Sequence, residues 1–295
     1  MMANFSHVHL LFCEGPHDAA FLSLIFKRLI DFKRVQLKIS EVPYPFSNIF
    51  RQSMLTHSAE DLRLDLAKKF FLPDFLLEKD GVLVMIFNSG GSSRRADSIG
   101  KFLIDVFDLL DVEDSFNDAS DGIGPKISFA IFADADSVGT SKVVEQIQLE
   151  FAVIGARDWL NKKWAPYHGT RAVSQETKRG LVSAYIWRRW RDDVGTLEDV
   201  ALECLEFGES INQTFEFLDQ RFSWVPSAQA KPIHICALAA KRLKAALCIE
   251  GQREKPGGSL SVVLDQANLI SEESLLKSQS VQDCVSFLKK WVAVV

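Results

Sequence analysis

The sequence predicts an α/β protein: a mostly parallel, Rossmann-like sheet flanked by helices, with a mainly helical C-terminal part. Three observations predict it. Short apolar runs at residues 8–13, 82–87 and 127–133 have the length and composition of buried strands. Each is followed, after a turn or loop, by apolar residues at helical spacing, the alternation that builds a doubly wound sheet. From Val200 onward the chain reads mainly as helices.

The first strand, residues 8–13, ends in Glu14, Gly15, Pro16 and Asp18. Ala19, Ala20, Phe21, Leu24, Ile25 and Leu29 then recur at helical spacing, while Lys27 and Arg28 are charged. Gly15 suits a tight turn, Pro16 a turn or first helical position, and Asp18 a helix start. A strand that carries a carboxylate to its carboxyl end and turns into a helix places it where open α/β sheets keep their ligand crevice. The plainer alternative leaves Glu14 at a strand end near solvent.

Residues 35–42 read as a second strand ended by Pro43 and Pro45, and residues 50–77 as helical, with Leu62, Leu64, Leu66 and Ala67 before Pro73. His57 falls in this connection as a surface residue. The strand at 82–87 runs into Ser89-Gly90-Gly91-Ser92-Ser93, whose backbone N–H groups, ahead of a helix, suit a phosphate. The spacing is not that of a Walker-type ATP site. A helix over 96–110 follows, with Ile99, Phe102, Leu103, Val106, Phe107 and Leu110 on one side. Residues 111–124 read as an acidic loop; Glu113, Asp114, Asp118 and Asp121 lack EF-hand spacing.

The strand at 126–133 runs into Asp134-Ala135-Asp136, with Gly139 beyond. Residues two apart on a strand share a face, so Asp134 and Asp136 present both carboxylates to one ion if the strand continues that far. Hard divalent cations take oxygen ligands. Glu14 on one strand and Asp134 and Asp136 on its neighbour therefore form a candidate Mg²⁺ or Mn²⁺ site. A helix over 141–154 and irregular chain around Trp159, Trp164, Pro166 and Tyr167 lead to another strand at 181–187. Residues 1–155 make the expected core and 156–295 a C-terminal extension. Its first strand either joins the sheet or stands apart, and one extended domain accounts for the pattern equally well.

Arg188, Arg189 and Arg191 follow that strand and, with Arg94, Arg95 and Lys241, are the candidates for phosphate contacts; the alternative for each cluster is a solvated face. Thr196 caps a helix opened by Leu197, Glu198 and Asp199, whose acids suit a first turn. Phe207, Phe215, Phe217, Leu218 and Phe222 read as core contacts. A helix over 233–249 carries Lys241, Arg242 and Lys244, a break follows at 254–258, and a last amphipathic helix covers 281–292.

Hydrophobic residues make up 47% of the 295 and charged ones 25%, an ordinary soluble composition, and no apolar run approaches the roughly 18 residues that span a bilayer. The N-terminal residues lack the basic and apolar regions of a signal peptide. Five scattered cysteines without Cys-x-x-Cys spacing predict reduced thiols in a cytoplasm and no zinc site, with Cys13 in the core. A net charge of −5 argues against a nucleic-acid coat protein but not against a nuclease, whose acidic site a bound cation offsets.

The Glu14-Gly15-x-x-Asp18 stretch, followed by Asp134-x-Asp136 and Gly139, resembles a TOPRIM domain. Residues 81–91 resemble the middle strand and glycine turn of small TOPRIM proteins. Gly195 to Asp199, the stretch 244–258 and the final helix with Phe287, Leu288 and Trp291 are similar to stand-alone DUF3226- or DUF4435-like members, related to OLD-family nucleases. One departure is Ser137, where some TOPRIM enzymes carry a third acid. The resemblance implies a Mg²⁺-dependent nuclease acting on DNA or tRNA, with Glu14, Asp134 and Asp136 catalytic and Asp18 and Glu198 secondary ligands. It also implies an effector of a prokaryotic anti-phage system, regulated by an ABC-type ATPase partner. The other expectations are a non-catalytic regulatory subunit with the same fold and a nucleotide phosphohydrolase.

Overall fold

The computed structural model describes residues 5–56, 71–116, 125–151, 164–177, 180–205, 209–224 and 230–293. Strand β1 (His7–Cys13) is buried along its whole length and pairs in parallel with β4 (Val82–Asn88) on one side and β5 (Lys126–Asp134) on the other. β8 (Leu181–Trp187) continues the parallel set beside β5. Antiparallel edges complete the sheet. β3 (Phe75–Lys79) and β2 (Lys33–Arg34) lie beyond β4, and β7 (Val173–Glu176) and β6 (Ala165–Pro166) beyond β8, in the order β2-β3-β4-β1-β5-β8-β7-β6.

The continuous apolar composition of the four parallel strands is explained by cover on both faces. Leu11, Cys13, Ala130, Phe132, Tyr185 and Trp187 face one core, together with α1 (Pro16–Leu29). The same core holds the C-terminal helices α5 (Leu197–Glu203), α6 (Glu209–Arg221), α7 (Pro232–Gln252), α8 (Leu260–Gln266), α9 (Glu272–Lys277) and α10 (Gln279–Val292). Val8, Leu10, Phe12, Phe129 and Ile131 face the second core under α2 (Phe46–Thr56), α3 (Ser92–Phe116) and α4 (Thr140–Glu150). Trp291 of α10 is fully buried against the ring of His9, 4.6 Å away, and burial holds His9 neutral by lowering its pKa to about 3. The C-terminal helices are also tied to α1: Lys27 Nζ pairs with Asp265 Oδ1 at 2.5 Å, and Arg28 donates to the Ile270 carbonyl at 2.7 Å.

Chain connectivity puts β4 and β5 on opposite sides of β1. The carboxyl ends of β1 and β5 therefore flank the point where the winding reverses, the place such sheets keep a ligand crevice. Among the described residues no helix is long and apolar enough to cross a membrane.

Several local expectations need correction. The stretch 35–42 is not a strand: pairing stops after Lys33–Arg34 except for one bond from Val35 N–H to the Leu76 carbonyl, and a 3₁₀ turn (Ile39–Glu41) follows. Its alternation is real, because Val35, Leu37 and Ile39 pack on the second core, but among the described residues no strand pairs along it. Residues 50–77 are not one helix. The helix is Phe46–Thr56, residues 57–70 (His57, Leu62, Leu64, Leu66 and Ala67 among them) lie outside the described ones, and Phe75–Lys79 is a strand.

The Asp80-Gly81 pair, with φ of 51° and 79°, is the two-residue turn that folds this strand back on β4. Helix α3 runs on to Phe116 into the expected acidic loop; residues 117–124 lie outside the described ones. β6 and β7 occupy part of the stretch read as irregular, while Trp159 falls outside the described residues. Phe217 and Phe222 are exposed, not core, whereas Leu218 is buried and Phe215 packs on the core; Phe207 is not among the described residues.

Candidate active site

At the carboxyl edge of the sheet, β1 delivers Glu14 into a turn that Gly15 and Pro16 convert into α1. The Glu14 carbonyl accepts from Gly91 N–H at 2.7 Å, and the Cys13 carbonyl from Ser89 N–H at 2.9 Å. These contacts use two of the donors in the glycine turn that the sequence offered to a phosphate. Asp18, buried in the first turn of α1, accepts from Gly15 N–H through Oδ2 at 3.1 Å, so its helix-start role is present. It is also a member of a charged cluster: burial, then Glu198 and Glu14, raise its carboxyl to about 7.

Asp134 closes β5. Water reaches part of its surface, yet protein crowds it on nearly every side. Its Oδ1 accepts from Leu197 N–H, at the start of α5, at 2.8 Å. Burial, followed by Asp18, Glu198 and Glu14, pushes its carboxyl well above the ordinary range against the lowering effect of that N–H. Asp136 departs from the expected arrangement. The strand ends at Asp134, and Asp136 has a left-handed φ of 47°, so the two carboxylates are not successive same-face residues of one strand. The backbone of Asp136 instead exchanges two hydrogen bonds with Gly195, each 2.9 Å. Partial desolvation and then Glu198 raise its carboxyl, opposed by Lys244. Gly195 has a φ of 131°, and a Cβ there would stand 2.7 Å from Arg189 N, so the close approach of the turn before α5 to the chain leaving β8 requires glycine.

The cap of α5 separates its two acids. Asp199 Oδ2 accepts from Thr196 N–H at 2.9 Å and is a capping residue. Glu198, 4% exposed, turns into the cluster and meets Lys244 Nζ from α7 at 3.1 Å. Burial alone would lower the Lys244 pKa, but Glu198, Asp134 and Asp18 hold it above its ordinary value. His17 borders the same region: burial and Lys244 lower its pKa against Glu198.

Two of the proposed phosphate contacts, Arg188 and Arg189, are engaged elsewhere. Arg188 Nη1 donates to the Asp192 carbonyl at 2.9 Å and lies 3.4 Å from Asp193 Oδ1, while Arg189 Nε pairs with Asp192 at 3.2 Å. Lys241 is exposed on α7, and Arg94 and Arg95 lie in the first turn of α3. Lys244, one helical turn beyond Lys241, is the site residue that sequence reasoning passed over. The helical spacing placed both lysines on one side of α7, but only packing distinguishes which reaches the acids.

Glu14, Asp18, Asp134, Asp136 and Glu198 thus come together electrostatically at the switch point. In donor chemistry the set fits a hard divalent cation, which takes carboxylate oxygens. In the arrangement seen, no three His, Cys, Asp or Glu side chains among the described residues converge as a metal site. Asp18, Asp134 and Glu198 are each turned toward a protein donor.

No protein-family model and no curated protein matches the chain. Among solved structures, a hypothetical protein from Pyrococcus horikoshii OT3 aligns over 97% of this chain and 100% of its own, at 14% identity and a TM-score of 0.47.

Proposed function

We propose that this crevice is the active site of a Mg²⁺- or Mn²⁺-dependent phosphodiesterase, a nuclease cleaving DNA or tRNA. The observation that carries the reading is the gathering of Asp18, Asp134, Glu14 and Glu198 at the carboxyl edge of the parallel sheet, where burial and then the neighbouring acids raise the Asp18 and Asp134 carboxyls. Five carboxylates facing a single lysine at a switch point favour a cationic ligand and, through it, a phosphate. Asp134, its Oδ1 fixed by Leu197 N–H, would hold the cation with Glu14, Asp136 and Glu198. The cation supplies charge neutralisation at phosphate and a lowered pKa for its water. Asp18, buried beside these ligands and holding Gly15 N–H, would complete the negative charge around the cation.

The test is cleavage of a DNA and tRNA panel, with mononucleotides alongside, in Mg²⁺ or Mn²⁺. Cleavage by the natural chain that disappears in Asp134→Asn and Glu14→Gln supports the proposal; equal cleavage by Asp134→Asn refutes it. Adding an ABC-type ATPase encoded beside the gene tests the regulated form of the proposal. Turnover of mononucleotides alone would identify a phosphohydrolase instead. A second reading, a non-catalytic regulatory subunit, is favoured by the protein donors that already meet Asp18, Asp134 and Glu198. It predicts no cleavage and no cation binding.

A further inference from the structure

The Lys244–Glu198 pair is asymmetric. Glu198 is fixed in the first turn of α5 with its side chain 5% exposed, whereas the Lys244 side chain is 45% exposed and enters from a different helix. A lysine stem already in water can withdraw its tip by rotamer changes alone, without moving the helix that carries it. The ammonium is a compact charge without the planar geometry that locks arginine to a carboxylate, so the contact is made for charge. Its field reaches Asp134 and Asp18 as well as Glu198, and lowers the Asp136 carboxyl. The groups facing it are Asp18 and His17 from α1, Asp134 and Asp136 from β5 and its following turn, and Glu198 from α5.

We propose that Lys244 is the internal counter-cation of this site: it occupies Glu198 in the metal-free protein and is displaced when a divalent cation binds the carboxylates. The proposal rests on the functional reading above. It accounts for one of the three acids that are turned to protein donors, the one that meets the ammonium. A divalent cation and an ammonium on the same carboxylate repel, so loading requires Lys244 to leave. Its departure removes the ion pair between α7 and α5 and leaves their apolar packing in place.

The experiment is Mn²⁺ binding, read by the free-ion electron paramagnetic resonance signal, in the natural chain and in Lys244→Met, Lys244→Arg, Asp134→Asn and Lys244→Met/Asp134→Asn. Lys244→Met should bind more tightly by a factor of up to about five, the change that one lost, partly exposed charge contact produces, Lys244→Arg should stay near the natural chain, and Asp134→Asn should abolish binding in both backgrounds. Equal or weaker binding by Lys244→Met, with Asp134→Asn still abolishing it, overturns the role of Lys244 and leaves the functional reading standing. Binding that survives Asp134→Asn, or binding in none of the proteins, overturns both. A second measurement needs no substitution. The rate at which an amine-acylating reagent modifies Lys244, read by mass spectrometry, should rise several-fold when Mn²⁺ is added, and an unchanged rate refutes displacement.

Discussion

The raised carboxyl of Asp18 makes the stability of this protein depend on pH in a defined direction. In the unfolded chain its pKa is 3.8, and in the folded chain about 7. Between those values the folded protein retains a proton that the unfolded chain has released, so stability falls as pH rises through the window and the loss is complete above it. At about 1.4 kcal/mol per pH unit, Asp18 alone lowers stability by about 4 kcal/mol between pH 4 and pH 8 in metal-free buffer. Asp18→Asn removes that ionisation while leaving an amide oxygen to accept from Gly15 N–H, so the helix start survives. At pH 4 the folded Asp18 carboxyl is itself neutral, so the amide replaces one neutral acceptor with another. The variant should therefore be about 4 kcal/mol more stable than the natural chain at pH 8 and close to it in stability at pH 4. Urea melts in EDTA from pH 4 to pH 8 measure this directly. Parallel pH profiles for the two proteins, or a variant less stable at pH 8, would show that the carboxylate cluster is not a reservoir of electrostatic strain. Saturating Mn²⁺ should narrow the difference at pH 8 by neutralising the same cluster.

Four further outcomes follow from the packing. Trp291→Ala should destabilise by about 3–5 kcal/mol in a denaturant melt, because a fully buried indole against His9 and Phe287 leaves a cavity. Gly195→Ala should cost about 1–3 kcal/mol by the same measurement and disturb the Asp136 bridge, since neither the φ nor the approach to Arg189 admits a Cβ. Asp199→Ala should cost about 1 kcal/mol through loss of the α5 cap, and it should also weaken Mn²⁺ binding by loosening Leu197 N–H on Asp134. Thiol titration of the native chain should label Cys236 and Cys248 ahead of Cys13, Cys204 and Cys284, which are buried and whose pKa values burial raises.

Much of the central fold was legible because it depends on local composition. Each parallel strand is covered on both faces, so its apolar run is unbroken and bounded by turn residues, as at Leu10, Leu11 and Phe12 or Ile131, Phe132 and Ala133. Edge strands gave weaker signals. Phe75–Lys79 sits beyond β4 with mostly half-buried side chains, so its residues resembled the helical leucines before them until the Asp80-Gly81 turn is taken into account. The exposure of Phe217 and Phe222 was likewise invisible, since aromatic residues on an amphipathic helix mark a face without specifying what packs on it.

The site divides in the same way. Sequence alone determined that carboxylates stand at the ends of two apolar strands, because Glu14 and Asp134 follow those runs directly. Tertiary structure decided the rest: that β1 and β5 are neighbours, that Asp136 leaves the strand, that Asp199 caps while Glu198 enters the cluster, and that Lys244 rather than Lys241 meets it. The physical reason is distance along the chain. A strand end or a helix cap is settled by residues within a turn of it, whereas the environment of a carboxylate at position 134 is set by groups at 18, 198 and 244, brought together only by the burial of both faces of the sheet.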